Sequence, residues 1–201
     1  MRNLKLRIKF QSVFDSRMPL TPIVRVLDCT SDFVIECVES DIDEFKKEVI
    51  GVDQTLVGNL EAISELVRKG ALQTLFLEDV RKGSYEFLLS PEVMDVAKFI
   101  SGGITTHAIG KVIDRFLKTK QKKTADDYEA ELKGKIYSAL QEEFVDYTLQ
   151  SESGSDGDML FVKINIIFNT DYGEQSYPDE YGNGGGGREI DLDMLAKTLK
   201  S

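Results

Sequence analysis

The sequence contains no tryptophan, one histidine, two cysteines and four prolines in 201 residues. A single histidine excludes any mechanism that needs two imidazoles. Two cysteines without a C-x-x-C pair exclude a disulfide scaffold and a cysteine zinc module. Positive charge is also in short supply, with 25 Lys and Arg against 35 Asp and Glu and a formal net charge of −10. A general duplex-binding protein needs a basic surface to displace counterions, so this balance argues against one. Long apolar runs are missing as well. Met1 to Phe10 alternates charged and apolar residues and lacks the unbroken apolar segment of an export signal. The nearest candidate for a membrane span, Val93 to Leu117, is interrupted by Asp95, Lys98, His107, Lys111, Asp114 and Arg115, and so does not read as one. The expectation is a cytoplasmic protein with reduced thiols and no transmembrane segment.

What is present is a globular composition, 41% apolar and 30% charged. In residues 3–10, Leu4, Leu6, Ile8 and Phe10 alternate with Lys5, Arg7 and Lys9, which predicts a half-buried strand with a basic outer face. Residues 11–22, with Pro19 and Pro22, read as a loop. The runs 23–29 (IVRVLDC) and 33–39 (FVIECVE) are rich in β-branched residues, and Thr30-Ser31-Asp32 between them reads as a hairpin turn. A helix is expected from Ser40 to Gly51, with Ile42, Phe45 and Val49 on one face. A second, Asp53 to Lys69, carries Leu56, Leu60, Ile63 and Val67 and is closed by Gly70.

Residues 71–78 and 84–89 read as another hairpin around Arg81-Lys82-Gly83. Ser90-Pro91-Glu92 supplies a cap, a proline at the first helical position and an acid at the positive dipole end of a helix reaching Ile100. After Gly102-Gly103, residues 104–118 place Ile104, Ala108, Ile109, Val112, Ile113, Phe116 and Leu117 on one helical face. Thr124 and Asp127 open the longest predicted helix, 125–149, striped with Tyr128, Leu132, Ile136, Leu140, Phe144 and Tyr147. Residues 151–158 (SESGSDGD) read as a loop. Residues 159–168 (MLFVKINIIF) are apolar on nearly both faces, the pattern of a central strand.

Strands grouped between blocks of helices predict an α+β fold. Its sheet is expected to be largely antiparallel, with the N-terminal strand, two hairpins and the late central strand, packed by about five helices. The α+β domain spans 1–168, an acidic Gly-rich arm 169–189, and a short amphipathic docking helix 190–201. In the last segment Leu192, Leu195 and Leu199, with Ile190 beside them, form one apolar face; ten residues are too few to be helical alone, so the segment must dock on something.

Candidate chemistry is sparse. His107 lies opposite the apolar stripe of its helix. Cys29 and Cys37 fall in the proposed hairpin with no histidine near in sequence to orient a thiolate, and read as small hydrophobes. Asp156-Gly157-Asp158 resembles a fragment of a calcium loop but runs directly into a strand, and the acids of 171–180 read as solvated charge. Gly184 to Gly187 has no preceding strand and no following Lys-Ser/Thr, so it is not a phosphate loop. No catalytic residue, metal ligand or cofactor is assigned. The basic cluster Lys111, Arg115, Lys118, Lys120, Lys122 and Lys123 stands out in an acidic chain.

The favoured function is a non-enzymatic interaction or assembly subunit, of adaptor, inhibitor or immunity type, with a protein partner or a second copy bound through Ile190, Leu192, Leu195 and Leu199. One alternative is nucleic-acid or membrane binding through 111–123, which is not favoured because its one aromatic, Phe116, belongs to the apolar helical face rather than to the basic one. The other is a carboxylate- and metal-dependent enzyme, which requires several acids converging in one cleft.

Overall fold

The first and last strands of the described fold lie side by side at the heart of one sheet. The computed structural model describes residues 4–13, 18–51, 53–70, 72–81, 83–100, 123–141, 143 and 145–169. In chain order these form β1 (Leu4–Ser12), α1 (Leu20–Val49), α2 (Gln54–Arg68), β2 (Leu75–Arg81), β3 (Ser84–Leu89), α3 (Pro91–Lys98), α4 (Ala125–Gln141), β4 (Tyr147–Asp156) and β5 (Met159–Phe168). The five strands are ordered β2-β3-β1-β5-β4. β1 runs parallel to β5, with Leu6 opposite Val162 and Phe10 opposite Ile166. The β1–β3, β2–β3 and β4–β5 pairings are antiparallel.

Period-two burial gives the sheet two distinct faces. Leu4, Leu6, Ile8 and Phe10 of β1 and Val162, Ile164, Ile166 and Phe168 of β5 are buried against the helices. Phe10 stacks on Phe168 at 6.3 Å and meets Phe87 edge-on at 5.9 Å. α4 lies on β4 and β5, and α1 packs on α4, α2 and α3. Among the described residues, all helix packing is on this one face. The fold is therefore mixed α and β, with a five-stranded sheet and four helices among those residues.

Several local signals set the helix ends. Asp53, expected as the start of the second helix, also caps α2 by accepting from the Leu56 N–H at 3.0 Å, and Gly70 follows the helix at φ 64° as expected. Ser90 Oγ accepts from the Val93 N–H at 3.3 Å ahead of Pro91. Thr124 and Asp127 cap α4 reciprocally: the Asp127 N–H donates to Thr124 Oγ1 at 3.2 Å, and the Thr124 N–H donates to Asp127 Oδ2 at 2.7 Å. The expected β2–β3 hairpin forms around Gly83 at φ 71°.

Three expectations are overturned. Residues 23–29 and 33–39 are not a hairpin, and no helix begins at Ser40; all belong to the 30-residue helix α1. Its buried positions Ile23, Val26, Thr30, Phe33, Val34, Cys37, Val38, Ile42, Phe45 and Val49 keep a helical spacing straight through 30–32. Asp28, Asp32, Glu36 and Ser40 recur every four residues on the exposed side. Thr30 makes no turn; its hydroxyl donates to Val26 O at 2.6 Å, one helical turn back. Pro22 sits in the first turn, where backbone N–H groups lack helical partners anyway. The second correction is that the helix from 125 stops at Gln141, so Tyr147 lies in β4 rather than on the helical stripe. The third is that 151–156 is strand, not loop, with Gly157 at φ 59° in the two-residue turn to β5. The second hairpin of the sheet is thus β4–β5. β5 is an interior strand next to β1, which holds the middle place. The expected helix at 104–118, and the arm and terminal helix beyond 169, lie outside the described residues.

Candidate functional site

The face of the sheet turned away from the helices is a grid of paired charge. Lys5, Arg7 and Lys9 of β1 stand beside Phe161, Lys163 and Asn165 of β5. Arg7 reaches Glu78 at 3.2 Å; its Nε also lies 2.7 Å from Glu86 Oε1, at an angle that makes the contact ionic rather than a hydrogen bond. Lys163 pairs with Glu152 at 3.0 Å and lies 5.0 Å from the centre of the Phe161 ring. A cavity of about 200 Å³ at one end is lined by Lys5, Arg7, Lys163, Asp156, Met159 and Phe161. Of the cations on this face, Arg7 and Lys163 are paired with neighbouring acids.

A wider groove of about 580 Å³ runs between α1 and α4, floored by Gly134 and Ala139 and walled by Asp32, Glu36, Glu131 and Lys135. Lys135 closes across it onto Glu36 at 2.9 Å. Cys29 lines the groove, its Sγ donating to Val26 O at 3.2 Å. Burial raises the Cys29 thiol and pushes that of Cys37 up to about 11, so both thiols stay protonated near neutral pH. Both cysteines lie on α1, eight residues apart in sequence, rather than on facing strands. Among the described residues no three His, Cys, Asp or Glu side chains are grouped to hold a metal ion. The carboxyls that shift, Asp127 and Glu129, are both lowered by hydrogen bonds from Thr124 and from Ser151 and Ser153, respectively.

The two edges of the sheet offer larger surfaces. On β2, Leu77 and Val80 share the helix-side face with Ile8 and Phe10, through their cross-strand neighbours Phe87 and Tyr85. Leu77 is nevertheless 51% exposed, Val80 57% and Tyr85 37%. The strand carries an irregularity between Leu77 and Asp79, and Asp79 pairs with Arg81 at 2.9 Å. At the other edge, β4 pairs with β5 without a break over ten residues. Ser151 and Ser153 donate to Glu129 at 2.5 Å and Asp126 at 2.6 Å, which ties α4 to the strand.

The residues singled out by sequence are mostly not in these places. Of the basic cluster only Lys123 is described; it pairs with Glu131 at 2.7 Å and lies 5.4 Å from the Tyr128 ring centre. Lys111, Arg115, Lys118, Lys120 and Lys122 lie outside the described residues, as do His107, the acids of 171–180, Gly184 to Gly187, and Ile190, Leu192, Leu195 and Leu199. Asp156-Gly157-Asp158 is a hairpin turn. The edge surfaces went unread because exposure of an apolar residue on a correctly predicted strand depends on which strand ends up outermost. No protein-family model matches the chain, no curated protein is similar to it, and no solved structure matches its fold.

Proposed function

We propose that this chain is a non-enzymatic assembly subunit that associates with a second copy of itself through the helix-side face of the β2–β3 hairpin. The observation that supports this is the exposed apolar group Leu77, Val80 and Tyr85 at a sheet edge. Contiguous apolar surface rimmed by polar groups is characteristic of interaction sites. Such a patch matches itself when two copies meet about a twofold axis, apolar side chain against apolar side chain. Asp79 and Arg81, which alternate with Val80, point to the opposite face and pair there with each other at 2.9 Å. The C-terminal face of Ile190, Leu192, Leu195 and Leu199 belongs to the same reading as a second apolar contact.

Light scattering after gel filtration tests it, on the full chain, on the Leu77→Glu/Val80→Glu variant and on a chain ending at Tyr181. The expected result is concentration-dependent association that the double variant loses, with the two melting temperatures equal at a dilution where both chains are monomeric, since both side chains are exposed in the monomer. Loss only on truncation at Tyr181 would assign the contact to the tail instead. A monodisperse monomer in all three would overturn self-association.

A further inference from the structure

The β4 edge suits a different occupant. The Asn169 N–H donates to Asp146 O at 2.9 Å, continuing the register that sets Tyr147 opposite Phe168. Residue 146 therefore points its backbone groups toward β5, and so do 148, 150, 152 and 154 by alternation. The N–H and C=O groups of Tyr147, Leu149, Ser151, Ser153 and Ser155 consequently point away from the sheet. Among the described residues no strand lies on that side. The strand has no proline, no lysine or arginine and no register shift, so none of these devices blunts it as an edge.

Acid flanks this row on both faces. Asp126 and Glu129 of α4 sit above it, and Glu152 and Asp156 lie on the opposite face. Among the described residues Lys133 lies 3.5 Å from Glu129, Lys163 lies 3.0 Å from Glu152, and Lys5 and Arg7 line one cavity with Asp156. Antiparallel pairing of two copies about Ser151 would satisfy the backbone but bring Glu129 near its own twin and Asp146 opposite Asp156. The edge therefore repels a second copy while keeping the backbone template that an added strand needs.

We propose that β4 accepts, as a sixth strand, an extended segment of another protein bearing lysine or arginine at alternate positions. Main-chain hydrogen bonds to Leu149, Ser151 and Ser153 supply the register, and Asp126 and Glu129 select the charge. This site is separate from the β2–β3 surface and does not depend on it.

The test uses the full chain and a labelled ten-residue peptide alternating lysine with valine, with a glutamate-for-lysine counterpart. Anisotropy reads binding, and residue-resolved hydrogen exchange reads geometry. The expected result is that the lysine peptide binds at least tenfold more tightly. It should slow exchange at Leu149, Ser151 and Ser153 at least tenfold, and leave Gln150 and Glu152, already in the ladder, unchanged. Asp126→Lys/Glu129→Lys should reverse the preference between peptides, and Ser153→Pro, which removes an outward donor, should weaken binding of the lysine peptide. The Leu77→Glu/Val80→Glu chain should bind it as the wild type does, so failure here and failure of the β2–β3 contact are read separately. The proposal is overturned if neither peptide binds, if the lysine peptide binds without protecting those amides, if charge reversal leaves the preference intact, or if the wild type dimerises through β4.

Discussion

The two edges of one sheet solve the problem of exposed backbone in opposite ways. β2 is short, its register is irregular after Leu77, and its charges are of both signs; its apolar side chains, rather than its backbone, are what it presents. β4 is long and regular, presents backbone, and is guarded by acid. The difference teaches that an edge can be closed by shape or by charge, and that each leaves a different opening. Shape leaves side-chain contact available to a copy, and charge leaves strand addition available to a partner of opposite sign.

The largest expected effect contrasts burial under the β4 side with exposure on the β2 side. Ile166→Ala truncates a fully buried residue of β5, beside β4, and should cost about 2–5 kcal/mol in denaturant unfolding. Val80→Ala removes aliphatic bulk from a site exposed in the monomer and, measured at a dilution where the chain is monomeric, should change stability by no more than about 0.5 kcal/mol. Equal costs at a dilution where the chain is monomeric would mean that β2 is covered within the monomer, and the comparison would break.

Next comes proline parity in β4. Gln150→Pro removes a donor that points into the β4–β5 ladder, whereas Ser153→Pro removes one that points outward. The first should be less stable than the second by about 1 kcal/mol or more, the worth of a ladder hydrogen bond. The reverse order in chemical denaturation would contradict the assigned edge.

Acidification probes the guard. Hydrogen bonds from Ser151 and Ser153 hold Glu129 below its ordinary value of 4.5. A carboxyl lowered in the folded state contributes stability that is present above the unfolded value and is lost as pH falls through the folded one. Lysine-peptide binding should accordingly persist at pH 5 and decline only below 4.5, while Ser151→Ala/Ser153→Ala should move that decline upward. A decline centred well above pH 5 would assign the charge selection to other groups.

The smallest effect concerns the outer face of β4. A Cβ on Gly154 would stand 2.7 Å from Phe161 Cζ, so Gly154→Ala must displace the ring. Because the ring end can swing on the open sheet face, stability should change by no more than about 0.5 kcal/mol. The Phe161 ring resonances should nonetheless move, and unmoved resonances would show that the ring does not cover Gly154 in solution.

How legible each part was follows from where its signal sits. The caps at Asp53, Ser90 and Thr124 are contained within four residues, as is the glycine turn at Gly83, and all could be read directly. α1 misled because Val, Ile and Phe favour strands in isolation, although the four-residue recurrence of Asp28, Asp32, Glu36 and Ser40 marked a helix. β4 was hidden because Ser151 and Ser153 stand where apolar residues would announce a strand, and their helix-side partners are the acids Glu129 and Asp126. The candidate edges were not legible, since being an edge is a property of the whole sheet.

By itself the sequence determined the alternating strand β1, the amphipathic helix α2, the β2–β3 hairpin, the helix starts at Ser90 and Thr124, and the apolar run of β5. Each is set by spacing or capping among near neighbours. Only the tertiary structure decided that 147–156 is a strand and that β1 and β5 lie parallel at the centre. Those outcomes depend on burying Phe10, Ile166 and Phe168 together across more than 150 residues of chain, and hydrophobic burial at that range leaves no local pattern to read.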